Sequence, residues 1–383
     1  MVGSALACVA ALAFPVVFSS DAYAYAGYGF MALHGISPYA HAYVSLRDPL
    51  MNAVLWQWGN PPPVCVYGPA FVWFAQGIVA LFGPLGPAAT LWAFRIAACI
   101  ALVACAPLAY AAFVKLPERT RLAAAAGIAL NPIAIWSCAE GHNDVFVLAL
   151  ALAGFALIAR SRLFAGALLL GLSPLVKLPG LLAAVAAVLG SWSDRSRFWR
   201  VATGALAGAA LSAIVAWPQL AGLRLHVVSA GHYFPQFSLQ YIMSSFLPER
   251  AAIGIAVILA FACAIAGWVH LTKRNLAGVP WIALAIWIAI PNPYPWYALW
   301  ILPAAFVAWE TPAAWAIVAL TLCTVVRYYP DATTDLSTGL NLAIAGLPLA
   351  MALIIFIERS KRSRWDRREN RMPVPDLAIS RSP

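Results

Sequence analysis

The chain has 383 residues, of which 63% are hydrophobic and only 10% are charged, and its formal net charge is +10. Soluble domains carry roughly 25% charged residues, so this composition excludes an ordinary soluble protein and requires lipid as the solvent for much of the surface. No polar linker divides the chain. We therefore predict one transmembrane catalytic domain, residues 1–357, and a basic cytoplasmic tail, residues 358–383.

Apolar runs follow one another along the chain, with short polar segments between them. A spanning helix needs about 20 apolar residues, and the first run, 2–19, is predicted to be such a helix because it lacks the basic start of a signal peptide. A long aromatic and proline-rich stretch, 20–68, is predicted to be the first extracytoplasmic loop. The later apolar runs are 69–83, 88–114, 121–138, 144–160, 163–176, 178–190, 200–220, 251–271, 279–291, 296–309, 313–328 and 338–357.

Lysine and arginine indicate the orientation of these runs, because cytoplasmic loops are enriched in both. Placing the basic connections inside makes 121–160 and 163–190 helical hairpins with outer turns, and makes 69–83 a re-entrant or interfacial helix. The predicted fold class is all-α and polytopic, with about 12 transmembrane helices and both ends in the cytoplasm. The basic tail is expected to contact anionic lipid head groups and not nucleic acid. The basic connections are 115–121, 160–162, 195–200, 273–274 and the tail.

Two isolated charged residues on the predicted outer side are candidates for chemistry. Asp21 follows the first apolar run in a tyrosine-rich segment, where a shielded carboxylate serves as a general base or, alternatively, as a helix cap. Lys177 lies between two apolar runs bounded by prolines. Its ammonium either holds a phosphate or extends to the membrane interface.

Two outer turns complete the set of candidates. The segment Glu140-Gly141-His142-Asn143-Asp144 has four polar side chains in five residues, which favours a binding site, although a solvated turn that caps the next helix has the same pattern. The aromatic and proline-rich turn 291–297 either stacks on a sugar ring or an isoprenoid, or belongs to the interfacial aromatic belt. The seven cysteines form no Cys-x-x-Cys or Cys/His cluster, so we expect no metal and no cofactor.

Four motif blocks and an aromatic turn occur in a fixed order over about residues 15–305, and together they resemble a known family. That family is the polyprenol-phosphate-mannose-dependent mannosyltransferases of bacteria, members of the GT-C glycosyltransferase superfamily. The blocks are Asp21-x-Tyr-x-Tyr-x-x-x-Gly29 with Gly35-x-x-Pro38-Tyr39; Tyr67-Gly68-Pro69; Asn131-Pro132 with Gly141-His142-Asn143-Asp144; Ala165-Gly166 with Lys177; and Tyr294-Pro-Trp-Tyr297 with Trp300 and Pro303.

The resemblance implies inverting transfer of a sugar, mannose above all, from a polyprenyl-phosphate donor to a glycan or glycolipid acceptor. It implies an enzyme of the cytoplasmic membrane whose site faces the extracytoplasmic side, with membrane lipids as further partners. Asp21 is then the general base, and Lys177 with His142 holds the lipid phosphate. The other substrate-binding residues expected are Glu140, Asn143, Asp144, Tyr39, Tyr67, Tyr294 and Tyr297.

One departure from the family pattern and two alternatives accompany this interpretation. Many superfamily members pair two acidic residues in the first loop, whereas here Asp21 is followed by alanine and the next acidic residue is Asp48. The runner-up function is a transporter or lipid flippase with broken helices and midplane charges, of which Arg95 is the main example. A non-catalytic scaffold of the envelope is the third class.

Overall fold

In the computed structural model, the described residues are 1–16, 19–40, 48–58, 64–219, 237–273, 275–328 and 337–369, with side chains to Arg362. Every regular element within these ranges is helical. The prediction of an all-α, polytopic membrane protein is therefore confirmed, while the number of crossings remains a prediction. The helices long and apolar enough to span a membrane are Pro87–Ala112, Glu118–Ala139, Arg195–Ala216, Glu249–Thr272 and Thr338–Arg362.

The N-terminal part begins with a shorter helix than the apolar run 2–19 predicts. This helix ends at Leu12, because Pro15 disfavours helical backbone in the residue before it. The stretch predicted as the first loop contains two helices, one of which begins at Asp21. The helices of this part are α1 (Val2–Leu12), α2 (Asp21–Leu33), α3 (Pro49–Trp58), α4 (Pro69–Phe82) and α5 (Pro87–Ala112).

The middle part shows where proline and asparagine interrupt the apolar runs. The run 121–138 breaks at Asn131-Pro132, where the Asn131 side chain caps the next helix by accepting from the backbone N–H of Ile133 at 2.9 Å. Lys177 lies in extended backbone between two short 3₁₀ turns. The helices are α6 (Glu118–Ala129), α7 (Pro132–Ala139), α8 (Asp144–Ala159), α9 (Leu163–Leu172), α10 (Leu181–Leu189) and α11 (Arg195–Ala216).

The C-terminal part places a 3₁₀ turn, Pro295–Tyr297, directly before a short apolar helix. The last helix continues beyond the predicted span 338–357 into the basic tail. The helices are α12 (Leu239–Ser244), α13 (Glu249–Thr272), α14 (Gly278–Ala289), α15 (Ala298–Val307), α16 (Pro312–Cys323) and α17 (Thr338–Glu369).

Arg95 joins the ends of two helices beside the turn 140–144. Its guanidinium donates to the carbonyl oxygens of Leu12 at 3.2 Å and Phe14 at 2.6 Å, and to that of Ala139. The last carbonyls of a helix have no partner within the helix, so a buried cation satisfies them well. The buried Arg95 charge therefore has a structural explanation, and it fixes the place where the polar turn begins.

Candidate active site

The candidate site lies where four segments meet: the first turn of α2, the turn 140–144, the extended segment around Lys177, and the aromatic turn 294–300. Lys177 reaches Asp144, and Asp144 in turn accepts from Trp300. Asp21 faces His142, which stacks on Trp296. The structure thus brings together side chains that are more than 270 positions apart in the sequence.

Asp21 is the partly exposed acid of this site, with 16% of its side chain accessible. Its Oδ2 atom accepts from the Tyr25 hydroxyl at 3.2 Å and lies 3.3 Å from Nδ1 of His142. Burial raises the pKa of Asp21, but the contact with His142, the charge of Lys177 and the Tyr25 hydroxyl outweigh burial, so the pKa is lowered from 3.8. Asp21 is therefore an ionised carboxylate at neutral pH, ready to accept a proton.

Lys177 and Asp144 form a buried ion pair. The Lys177 ammonium donates to Oδ1 at 2.9 Å and to Oδ2 at 2.8 Å. Nε1 of Trp300 donates to the same Oδ1 at 2.7 Å. Asp144 is fully buried, whereas Lys177 retains slight exposure, so the ammonium is the more accessible member of the pair.

Three aromatic rings surround the Lys177 ammonium. Its Nζ atom lies 5.4 Å from the ring centre of Tyr67, 5.3 Å from that of Tyr297 and 5.5 Å from that of Trp300. At such distances the negative face of each ring attracts a cation. The predicted tyrosines 67 and 297 therefore position the cation. Tyr67 also lies close enough to Asp21 to interact with its charge.

His142 is fully buried between a carboxylate and an aromatic stack. Its ring lies 3.9 Å from that of Trp296 at an interplanar angle of 23°, and Trp296 lies 4.7 Å from Tyr294 at 7°. Nε2 of His142 has no hydrogen-bond partner among the described residues. The imidazole is thus held between the Asp21 carboxylate and the Trp296 ring.

The remaining predicted residues form the second layer of the site. The Tyr39 hydroxyl donates to the carbonyl oxygen of Tyr67 at 2.9 Å and so supports the ring that faces Lys177. Glu140 is buried and interacts electrostatically with Arg95. Both ends of the Asn143 side-chain amide lack partners in the described part of the chain. A buried, unsatisfied amide indicates a place for an ordered water or a ligand hydroxyl.

Two glycines allow these segments to approach one another. Gly141 has a φ of +90°, which side chains other than glycine rarely adopt, and a Cβ there would lie 3.2 Å from Cβ of Ala22. Gly68 donates its N–H to the carbonyl oxygen of Val176 at 2.9 Å, and a Cβ at Gly68 would collide with the backbone of Leu175. These contacts hold His142 next to Asp21 and Tyr67 next to Lys177.

Some residues of the site are absent from the sequence-based prediction. Trp296 and Tyr25 lie within the motif blocks, but the motifs do not predict a role for either, because aromatic residues at a membrane interface are common and carry little signal alone. Asp48 has a structural role: its Oδ1 accepts from the N–H of Leu50 at 2.8 Å and caps α3. Within the described ranges, no three His, Cys, Asp or Glu side chains lie together as ligands for a metal.

The helical membrane fold thus holds a partly exposed, ionised carboxylate beside a buried ion pair, an arrangement compatible with an integral membrane enzyme. The profile of the family described as alpha-(1->6)-mannopyranosyltransferase, N-terminal domain, matches residues 6–193, which include Asp21, the turn 140–144 and Lys177. This match and two curated relatives support a mannosyltransferase family, and the resemblance predicted from the motifs is confirmed.

Two curated relatives extend the similarity beyond this region. Alpha-(1->6)-mannopyranosyltransferase A of Mycobacterium tuberculosis is 27% identical over an alignment of 384 residues, which covers 86% of this chain and 69% of the relative. A second alpha-(1->6)-mannopyranosyltransferase of the same organism is 26% identical over 428 residues, covering 90% of this chain and 71% of the relative. No solved structure matches this chain.

Proposed function

We propose that this protein transfers a mannosyl residue from a polyprenyl-phosphate donor to a hydroxyl of a glycan or glycolipid, with inversion at the anomeric carbon, on the extracytoplasmic face of the cytoplasmic membrane. The observation that carries the proposal is the ionised, partly exposed Asp21 carboxylate within electrostatic reach of Lys177. The names of the curated relatives support mannose as the sugar.

Asp21 is the general base in this proposal. Its carboxylate accepts the proton of the acceptor hydroxyl while that oxygen forms a bond to the anomeric carbon of mannose. The bond between that carbon and the phosphate oxygen breaks, and its electron pair stays on the phosphate. Protonated Asp21 and polyprenyl phosphate are the outcome, so the step needs no oxidant, reductant or further reactant.

Lys177 stabilises the negative charge that develops on the departing phosphate. Two of the three ammonium N–H groups are committed to Asp144, which orients the third. A fixed cation in a site of low dielectric stabilises charge without reorganisation during the reaction. Tyr67, Tyr297 and Trp300 keep water away from this ammonium and strengthen its interaction with the phosphate.

An apolar cavity of about 350 Å³ adjoins the Lys177 side of the site and suits the isoprenoid chain of such a donor. Trp300 and Gly180 line it next to the ion pair. One face of α8 continues it from Val147 to Ala159, a length of about 18 Å at 1.5 Å per residue. A lipid-linked substrate needs this combination of a polar head site and a long apolar groove.

The far end of the cavity supports the proposed orientation. Lys115 and Arg197 line it, and both belong to basic connections that the positive-inside rule assigns to the cytoplasm. The Asp21 site lies at the opposite end of α8, next to Asp144. These positions support a site on the extracytoplasmic side, which a donor would reach with its chain in the groove.

The test is transfer of radiolabelled mannose from polyprenyl-phosphate mannose in membranes that contain the wild type, Asp21→Asn or Asp48→Asn. We expect Asp21→Asn to lose at least about a hundredfold in rate, because general bases contribute about 10²–10⁴-fold. Asp48→Asn is the matched control, since asparagine caps a helix as well as aspartate does, and it should retain transfer.

Equal transfer by the wild type and Asp21→Asn would contradict the base role. The transporter alternative makes a different prediction for the same membranes. Movement of a labelled lipid across the bilayer without any transfer to an acceptor would support the transporter and overturn the enzyme.

A further inference from the structure

A continuous stack of rings leads to Asp21 from the aromatic turn 294–300. Tyr294 lies parallel to Trp296 at 4.7 Å, Trp296 lies on His142 at 3.9 Å, and Nδ1 of His142 lies 3.3 Å from Oδ2 of Asp21. Trp296 is the central member, and it is itself buried. Since nearly parallel rings in contact limit one another's rotation, the orientation of the imidazole depends on Trp296.

Tyr294, at the end of the stack away from Asp21, is also held in place. The Arg327 guanidinium lies 5.2 Å from the Tyr294 ring centre and donates to Oδ1 of Asn292 at 3.4 Å. Behind Trp296, the Tyr328 hydroxyl is hydrogen-bonded to Oγ of Ser137 at 3.0 Å, at the end of the helix that leads into the turn 140–144. The stack and the polar turn are thus fixed to each other by buried contacts.

We propose that Trp296 is a positioning residue of the transfer reaction, which holds the imidazole of His142 against the Asp21 carboxylate so that His142 acts on the base and not on the lipid phosphate. The proposal rests on the proposed function, in which Asp21 is the base. It gives Trp296 a role beyond the substrate contacts expected of the aromatic turn.

A pH dependence follows from this arrangement. The titratable and charged groups that interact with Asp21 among the described residues are Tyr25, Tyr28, Tyr67, His142 and Lys177, with Asp144 on the far side of Lys177. His142 is the strongest of those that lower the pKa of Asp21. When the imidazole is no longer held, the effect of burial is less opposed, so the pKa of Asp21 rises and activity is lost at a higher pH.

The kinetic test compares Trp296→Leu, Trp296→Phe and Trp287→Leu in a mannosyl transfer assay. We expect Trp296→Leu to lower kcat about tenfold with little change in the KM for the donor, and to move the acid limb of the kcat profile upward by about one pH unit. Trp296→Phe keeps a ring beside His142, so its kcat and the position of its acid limb should stay close to those of the wild type. Trp287 is similarly buried, but among the described residues it is Trp296 and not Trp287 that stacks on His142, so its leucine variant should leave the acid limb in place.

A double variant tests whether Trp296 acts through His142. His142→Gln alone should move the acid limb as Trp296→Leu does, and the combination of both changes should add nothing further. Additive shifts would show that the two residues act independently and would overturn the proposal. Should Trp296→Leu fail to accumulate in membranes, Tyr294→Leu removes the next ring and should shift the acid limb in the same direction.

A second readout does not depend on transfer. Acylation of histidines by diethyl pyrocarbonate, followed by mass spectrometry, should leave His142 protected in the wild type and in Trp287→Leu, but label it in Trp296→Leu. His34, which is exposed, is the internal reference. Protection of His142 in Trp296→Leu equal to that in the wild type would overturn the positioning role.

The outcomes separate the two proposals. If Asp21→Asn is inactive and the acid limb of Trp296→Leu equals that of the wild type, the positioning role fails and the base role stands. If Asp21→Asn transfers mannose normally, the base role fails, and with it the assignment of Trp296 to the reaction. The acylation result then still reports whether Trp296 holds the ring.

Discussion

Lys177 places its ammonium on both carboxylate oxygens of Asp144, at 2.9 and 2.8 Å, although the two residues lie 33 positions apart in the sequence. Both side chains are buried. Removal of one partner from a buried pair leaves the other charge without compensation, which costs more than the pair itself contributes. This relationship controls both the stability of the site and its charge.

The first prediction concerns this pair. We expect Asp144→Asn or Lys177→Met to destabilise the protein by about 3–5 kcal/mol, and the double variant to be less destabilised than the sum of the single ones. Unfolding of the purified protein in detergent measures the free energies. Fully additive effects would show that the pair does not act as a unit. All three variants should also lose transfer, since each disturbs the cation that faces the phosphate.

The second prediction concerns pH. The pKa of Asp21 is lowered from 3.8 in the folded protein, so its contribution to stability is present above about that value and is lost as the pH falls through the folded pKa. The base is ionised over the same range. We therefore expect no loss of transfer from Asp21 titration between about pH 7 and pH 5 in the wild type. His142→Gln, with the lowering contact removed, should lose activity at a higher pH than the wild type, and a profile identical to that of the wild type would contradict the role of the contact.

Part of this site is predictable from the sequence, because its polar residues stand out against an apolar chain. Asp21, the turn 140–144, Lys177 and the turn 291–297 are all exceptional in their surroundings. Which of them pair is not predictable, since an ion pair between Lys177 and Asp144 depends on how α8 packs against the following segment. The stack of Trp296 on His142 is unpredictable for the same reason, because it joins turns about 150 positions apart.

The helices also differ in how well the sequence predicts them. Long apolar runs predict α5 and α13 to within a few residues, because burial in lipid leaves their length and composition little freedom. The segment that forms α2 is rich in tyrosine, alanine and glycine and is less apolar, so its helix is not evident from hydropathy. Its stability depends on packing against α4, where Gly29 lies close to the backbone of Ala75.

The third prediction tests the left-handed turn. Gly141→Ala should destabilise the protein by roughly 1–2 kcal/mol, because alanine is strained at a φ of +90° and its Cβ meets Ala22. Transfer should also fall, since the strain lifts His142 away from Asp21. Gly77→Ala is the control: nothing lies within 4 Å of a Cβ at this helical position, so the change should stabilise α4 by about 0.5–1 kcal/mol. Thermal unfolding and transfer rates of both variants decide the matter, and equal behaviour of the two would contradict a special role of the turn.

The fourth prediction tests the place of the isoprenoid chain. Ala151 and Ala183 line the apolar cavity from two different helices, and replacement of either by phenylalanine fills part of its volume. We expect a rise of about tenfold in the KM for a donor with a long isoprenoid, as roughly 1–2 kcal/mol of apolar contact is lost for each displaced isoprene-sized group. A donor with a chain too short to reach the filled part should bind as it does to the wild type. Ala210→Phe, at an exposed position of α11 outside the cavity, is the control and should leave the KM unchanged for both the long and the short donor. An equal effect on long and short donors would mean that the substitutions disturb the Lys177 site itself, whereas no effect on either would show that the chain lies elsewhere.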